Sequence, residues 1–208
     1  MKTLPLVFLF ITTHALAQDP AIGLQVGSTL AGLRFRDANG RVTRLSPMPG
    51  LDTKVAFTQP IRTSKKVNWS MALGYKSVQL RDRENQVASR WSINMATFAT
   101  TIHYDLVSTK RIRVNSGLGA EGNFLFNATQ SRGFEQYVIT NRVKRSNVSL
   151  LLDWAVEYQI SAEAFCSIEA LFFNGFTNVE RDPGQSAYLR GFTPSIAIHF
   201  NLNSNKRR

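Results

Sequence analysis

The closing segment of the chain, Gly191-Phe-Thr-Pro-Ser-Ile-Ala-Ile-His-Phe-Asn-Leu202, alternates large apolar residues with small or polar ones. Ile196 and Ile198 fall in one phase, whereas Ser195 and Ala197 fall in the other. A period of two residues places the two phases on opposite faces of a β-strand. The segment therefore predicts a strand with one apolar face and one face of small side chains.

Seven other runs show the same alternation. They lie at 22–30, 51–57, 69–75, 91–107, 111–126, 147–160 and 164–176. Trp91 and Ile93 are out of phase with the rest of their run, which indicates a β-bulge or a misplaced boundary. No segment has the period of an amphipathic helix, so the sequence predicts an all-β chain.

The connections between these runs alternate strictly in length. Short turns are predicted at 62–66, 108–110 and 161–163, and long polar connections at 35–50, 82–90, 127–146 and 177–187. All the short turns then lie at one end of an up-and-down meander. Short periplasmic turns and long outer loops are typical of transmembrane β-barrels. We therefore predict an eight-stranded antiparallel up-and-down transmembrane β-barrel with both termini in the periplasm.

A ten-stranded barrel is the structural alternative. It requires a hairpin within 35–50 or 127–146, and the stretch Tyr137-Val-Ile-Thr140 is apolar enough to extend a strand above the membrane.

The size of the residues opposite the apolar face indicates which face is inside. Gln25, Gly27 and Thr29 lie opposite the apolar phase of the first run, and all but Gln25 are small. A face exposed to water has no size limit, whereas side chains alone fill the narrow bore of an eight-stranded barrel. We therefore expect the apolar face to contact lipid. A soluble lipocalin-like barrel, with the apolar face lining a cavity, is the less favoured alternative.

The N-terminus predicts export. Lys2 precedes the apolar run Leu4-Pro-Leu-Val-Phe-Leu-Phe-Ile11, and Ala15-Leu-Ala17 offers small residues at a signal peptidase site. We predict a signal peptide at 1–17 and a barrel domain at 18–208. The expected location is the bacterial outer membrane, after export through the inner membrane.

The signal peptide, the eight-run meander and the closing segment at 191–202 together resemble the small outer-membrane β-barrel families of OmpA and OmpX size. Among these, the resemblance is nearest to the PorT-like barrels of Bacteroidetes. It implies an integral outer-membrane protein, assembled by the barrel assembly machinery and associated with secretion. Such barrels usually end on a terminal aromatic residue, whereas here Phe200 is followed by Asn201, Leu202 and a polar tail.

The inward phase also carries charged and titratable residues. They are Lys76, Arg113, Glu121, Asp153, Glu157, Glu169 and His199, with Arg111, His103 and Asp105 as further candidates. Buried charges have to be paired or solvated. We interpret the set as a polar network that plugs the lumen. A narrow porin-like path for ions or water is the alternative, and an acid/base site is a less favoured one.

Composition limits the other functions. A single Cys excludes a disulfide framework, and three His without ligand spacing disfavour a metal site. Lipid A deacylases on small barrels carry a His-x-Ser pair, which neither His103-Tyr-Asp105 nor His199-Phe-Asn201 matches. We expect no cofactor and no enzymatic activity.

Arginine accounts for most of the formal net charge of +11, with 17 Arg against 8 Lys. We predict a basic rim on the outer loops made of Arg81, Arg83, Arg132 and Arg190. Guanidinium groups suit the phosphates of lipopolysaccharide, although solubility of the loops explains the same charges. An exported barrel meets little nucleic acid, so outer-membrane lipid and other envelope proteins are the expected partners.

Overall fold

The computed structural model describes residues 20–61, 64, 66–82, 89–182 and 184–202. The predicted signal peptide at 1–17 and the polar tail after Leu202 lie outside the described residues. Among the residues that are described, no helix is long and apolar enough to span a bilayer.

The described residues form nine strands. They are β1 (Ala21–Arg36), β2 (Val42–Pro60), β3 (Val67–Arg81), β4 (Ser89–Ser108), β5 (Ile112–Arg132), β6 (Glu135–Val138), β7 (Ser146–Gln159), β8 (Ala164–Gly175) and β9 (Ser186–Asn201). A single 3₁₀ turn, Thr140–Arg142, lies between β6 and β7.

Eight of these strands close into a ring, which confirms the predicted barrel. Consecutive strands pair antiparallel from β1 to β5 and from β7 to β9. The ring is completed by the pairs β5–β7 and β9–β1. The short strand β6 pairs only with Thr129–Arg132 of β5, at the end of the barrel away from the short turns. We call this end the upper end. The segment 127–146 therefore contains the hairpin that the ten-stranded alternative required, but this hairpin extends the wall and adds no strand to the ring.

The predicted long loop at 35–50 is wrong. β1 runs to Arg36 and β2 begins at Val42, so the connection is only 37–41. Asp37 Oδ1 accepts hydrogen bonds from the backbone N–H groups of Asn39 and Arg41, at 3.0 and 2.8 Å. The register of β2 shifts against β1 between Leu30 and Leu33, and against β3 between Met48 and Asp52. Such a shift interrupts the period that the sequence displays.

The exterior of the ring is apolar, as predicted. The most exposed large apolar side chains include Leu118, at 69%, and Ile168, at 70%. Outward aromatic residues occur near both ends of the strands, for example Tyr104 and Phe200 at the end with the short turns and Phe126 and Phe172 at the other. A closed ring with an apolar band between aromatic girdles is how β-structure spans bacterial outer membranes. The barrel is therefore an outer-membrane protein.

The phase change predicted at the start of the fourth run is absent. From Ser89 to Asp105 β4 alternates without interruption, and Ile93 and Met95 point into the lumen together with Ala99. Trp91 packs against the same interior cluster. The bulge lies in the neighbouring strand instead, because Phe126 of β5 has no partner between two consecutive pairs of the ladder. The upper lumen is therefore apolar, which the sequence analysis did not anticipate.

A charge introduced on the outer face tests this orientation. Ile196 is 66% exposed and lies on β9 midway between Phe192 and Phe200. We expect Ile196→Arg to destabilise the barrel by roughly 2–4 kcal/mol, because the cation would lie near the bilayer midplane. Urea unfolding in lipid vesicles measures the change.

The control is Leu202→Arg. Leu202 follows β9 at the interface and is also exposed, so the cost should be only about 0–1 kcal/mol. Equal stabilities for the two variants would contradict the lipid-facing assignment of β9.

Candidate functional site

Four charged residues meet in the middle of the lumen. They are Asp52 and Lys54 on β2, Lys76 on β3 and Glu121 on β5, and none is more than 5% exposed. The Lys54 amine donates to Glu121 Oε2 at 3.1 Å, and Lys76 donates to Glu121 Oε1. Asp52 Oδ2 lies 3.5 Å from the Lys54 amine and 3.7 Å from the Lys76 amine. We call these four residues the central charge cluster.

The central charge cluster contains two cations and two anions, so its formal charge is zero. This balance matters because an unpaired ion in a low-dielectric interior is costly. Sequence reasoning found Lys76 and Glu121 but missed Asp52 and Lys54. The alternation of the sequence could have identified both residues, because they occupy the phase opposite to the outward Leu51 and Val55.

An apolar plug fills the lumen above the central charge cluster. We define it by Val78, Leu80, Ile93, Met95, Leu125, Leu151, Phe173 and Leu189, which all belong to one buried cluster. Val78 and Leu80 are completely buried. The Lys76 amine lies 4.4 Å from the centre of the Phe173 ring, so a cation–π contact joins the two zones.

A polar vestibule occupies the lumen below the central charge cluster. The Gln25 amide donates to Glu169 and to Ser195, at 2.7 Å each. Ser167 Oγ donates to Glu169 at 2.6 Å and lies 3.2 Å from His199 Nε2. His199 Nε2 is 3.6 Å from Glu169 Oε1. These contacts link the three neighbouring strands β1, β9 and β8 on one side of the bore.

A second histidine in the vestibule lies between a serine and an aspartate. Ser70 Oγ is 2.9 Å from His103 Nε2, and His103 Nδ1 is 3.5 Å from Asp153 Oδ2. Gly117 makes room for the imidazole, because a Cβ there would lie 2.7 Å from His103 Nδ1. The order of groups resembles a serine–histidine–aspartate triad, in which the imidazole takes the serine proton and the carboxylate orients the imidazole. Sequence reasoning missed it because the three residues lie on three different strands.

Arg113 lies at the mouth of the vestibule, at the end of the barrel with the short turns. Its guanidinium is 3.5 Å from Asp105 and 3.3 Å from Glu157, and its side chain is 41% exposed. Asn68 donates to Asp105 at 3.1 Å, and Asn115 donates to Glu157 at 2.7 Å.

The free space in the vestibule is small. Its cavity has a volume of about 90 Å³ and is lined by the polar groups of Gln25, His103, Asp153, Glu169 and His199. A water molecule occupies about 30 Å³ in the liquid. The cavity therefore suits a few water molecules. Among the described residues, no group of His, Cys, Asp and Glu is arranged to hold a metal ion.

The predicted lumen residues thus divide between two zones. Lys76 and Glu121 lie in the central charge cluster, whereas Arg113, Asp153, Glu157, Glu169 and His199 line the vestibule.

The predicted basic rim divides as well. Arg81 and Arg132 lie at the outer ends of β3 and β5, next to Arg90 and Ser89 of β4. Arg190 lies three strands away from Arg81 in the ring, and Arg83 lies outside the described residues.

Comparison with known proteins agrees with this geometry. The outer membrane protein OprG from Pseudomonas aeruginosa superposes with a TM-score of 0.52 and 11% identity, covering 89% of this chain and 96% of that chain. The outer membrane protein AlkL, solved in lipid bilayers, gives 0.50 and 9%, covering 88% of this chain and 90% of that chain. The fold is that of a small outer-membrane barrel. No family model and no curated protein matches the chain.

Removing one charge from the central charge cluster should destabilise the barrel. Glu121→Gln leaves two buried lysines facing one aspartate. We expect a loss of about 3–5 kcal/mol, as for other buried pairs that lose one partner. Urea unfolding, followed by heat-modifiable gel mobility, measures the loss.

The same substitution at Glu157 is the matched control. Its partner Arg113 is half exposed, so Glu157→Gln should cost only about 0–1 kcal/mol. Adding Lys54→Met to Glu121→Gln restores neutrality and should recover part of the stability. A Glu121→Gln variant as stable as the Glu157→Gln variant would show that the cluster does not depend on charge balance.

Proposed function

We propose that the protein is a closed outer-membrane barrel with a structural or loop-mediated interaction role. The occlusion of the lumen carries this proposal. The apolar plug and the central charge cluster lie one above the other across the bore, and both are buried. An eight-stranded ring leaves little room beyond what side chains fill.

A narrow porin-like channel is the alternative function that the polar vestibule suggests. An ion entering from the vestibule would first have to displace a lysine from Glu121. It would then have to cross the apolar plug, whose side chains cannot replace its hydration shell. The buried Asn123 and Asn147 beside Met95 are hydrogen-bonded to each other. Hydrophobic constrictions of this kind close pores by excluding water. Both barriers favour the closed barrel.

The outer hairpins provide the surface for interaction with other envelope proteins. The turn between β5 and β6 has Gly133 at a φ of 62° and a completely exposed Phe134. Tyr137 and Val138 of β6 are also exposed. Apolar side chains on a loop that faces water are typical of contact sites.

Enzymatic activity is not part of this proposal. The Ser70–His103–Asp153 arrangement borders a cavity of about 90 Å³, which suits water better than an acyl substrate. The strands that carry Ser70, His103 and Asp153 also use their backbone N–H groups in the ladders of the ring. Stabilisation of an oxyanion would require such groups to be free.

Two further roles follow from the sequence and remain predictions. The resemblance to PorT-like barrels implies an association with secretion, which gene deletion and an assay of protein export would test. Lipopolysaccharide at the outer arginines and the barrel assembly machinery during biogenesis are the proposed partners.

Planar-bilayer recording tests the closed lumen. We expect no steady single-channel current from the wild-type protein. A variant with Leu80→Ala and Phe173→Ala should leak ions, because both changes remove side chains from the apolar plug. The matched variant with Leu73→Ala and Phe172→Ala removes the same side chains from the lipid face and should stay silent. Steady currents from the wild-type protein would overturn the proposal.

A further inference from the structure

Three arginines form a cluster on the outer surface of the wall, away from the lumen. Arg34 of β1 lies directly opposite Arg44 of β2 in the ladder. Arg190 of β9 is paired with Gly32, which lies on the same outward face of β1 as Arg34, two residues before it. All three side chains are exposed and alternate with residues that pack in the interior, such as Leu45 next to Arg44. We call these three residues the arginine wall.

None of the described residues provides a counter-charge for the arginine wall. Among the described residues, Arg113 has carboxylate partners, whereas Arg34, Arg44 and Arg190 have none. Like charges directly opposite each other in a ladder are destabilising. Two opposed guanidinium groups at this position are therefore better accommodated when an anion lies between them.

An apolar groove lies directly below the arginine wall. Its volume is about 800 Å³, and it is lined by the arginines and by a row of large apolar side chains. This row crosses four neighbouring strands through Leu152, Phe172, Phe192 and Leu30. At about 4.8 Å between strands, the row is roughly 14 Å wide. Gly32, which pairs with Arg190, leaves the outer face of the wall without a side chain at that position.

We propose that the arginine wall and this groove bind lipopolysaccharide through its phosphorylated lipid A. The guanidinium groups bind the phosphates with paired N–H donors, and the acyl chains lie along the apolar row. Three cations match a headgroup with more than one phosphate. A row four strands wide matches several acyl chains better than the two of a phospholipid.

The position in the membrane supports the same occupant. Phe172 and Phe192 pack together on the outer face, and the arginine wall lies between them and the long hairpins. The opposite end of the barrel is the one where Ala21 of β1 pairs with Asn201 of β9. The side with the arginine wall faces the outer leaflet, where lipopolysaccharide resides. The inference deepens the proposed contact with lipopolysaccharide and rests on that proposal, but it does not depend on the closed lumen.

Titration of the folded protein in nanodiscs with purified lipid A tests the site. Changing Arg34, Arg44 and Arg190 together to Gln should weaken binding roughly tenfold, because each exposed charged contact is modest alone. The matched variant changes Arg81, Arg90 and Arg132 to Gln, which removes the same charge from the other side of the barrel. It should weaken binding less than about twofold.

Two further arms test the chemistry of the groove. Gly32→Phe keeps every charge but fills the groove, and it should weaken binding as strongly as the loss of the three arginines. A Cβ at Gly32 meets only a carbonyl oxygen at 3.7 Å, so the wall can accept a side chain. Dephosphorylated lipid A should bind the wild-type protein roughly tenfold more weakly, since the exposed charged contacts are lost.

The outcomes distinguish the site at the arginine wall from the more general contact with lipopolysaccharide. If the Arg81, Arg90 and Arg132 variant loses binding and the arginine-wall variant does not, the site is wrong while contact with lipopolysaccharide stands. If the wild-type protein does not bind lipid A, both fail. If phosphatidylglycerol displaces lipid A at equal concentration, the occupant is an ordinary anionic phospholipid and the inference is overturned. Heat-modifiable mobility verifies that each variant is folded.

Discussion

Closure of the sheet between β1 and β9 is the constraint on which the rest of the structure depends. The two strands pair from Ala21 with Asn201 up to Arg36 with Ser186. Without this seam, two strand edges would present unpaired N–H and C=O groups to the hydrocarbon, at a cost of several kcal/mol each. Once the ring is closed, every outward side chain between the girdles faces lipid. The apolar exterior follows from that requirement.

Closure also determines what the interior must contain. Eight strands enclose a bore that side chains have to fill, and this chain fills it in three layers. The apolar plug needs no polar partners. The central charge cluster is stable because Lys54 and Lys76 balance Asp52 and Glu121. The vestibule is polar and borders a cavity with space for a few water molecules. The same filling that stabilises the barrel therefore blocks conduction.

The membrane-embedded half of the barrel could be predicted from the sequence, whereas the half above the membrane could not. Between the girdles, apolar residues point outward, so a search for apolar runs finds the strands. Above the upper girdle the wall faces water and the pattern inverts. There Val78 and Leu80 point inward while Gln79 and Arg81 point outward. A search for apolar runs therefore reads strands with this inverted pattern as loops, and it reads the inward positions of Trp91 and Ile93 as a bulge.

The candidate sites show a similar division. Residues that share one strand face, such as Asp153 and Glu157, could be placed in the lumen from alternation alone. Contacts between strands depend on register, and bulges such as the one at Phe126 change the register. The meeting of Ser70 with His103 and Asp153 was therefore not predictable. The cluster of Arg34, Arg44 and Arg190 depends on the β1–β2 and β1–β9 registers in the same way.

Between the girdles, one face of each strand contacts lipid and the other is packed inside the lumen. Phe172 and Phe173 test it most directly, because they are adjacent on β8 at the same depth, with exposures of 47% and 5%. In a background with Trp69, Trp91 and Trp154 changed to Phe, either residue can be replaced by tryptophan and its fluorescence quenched with brominated lipid. The account predicts strong quenching for Phe172→Trp and almost none for Phe173→Trp. Equal quenching of the two folded variants would contradict it.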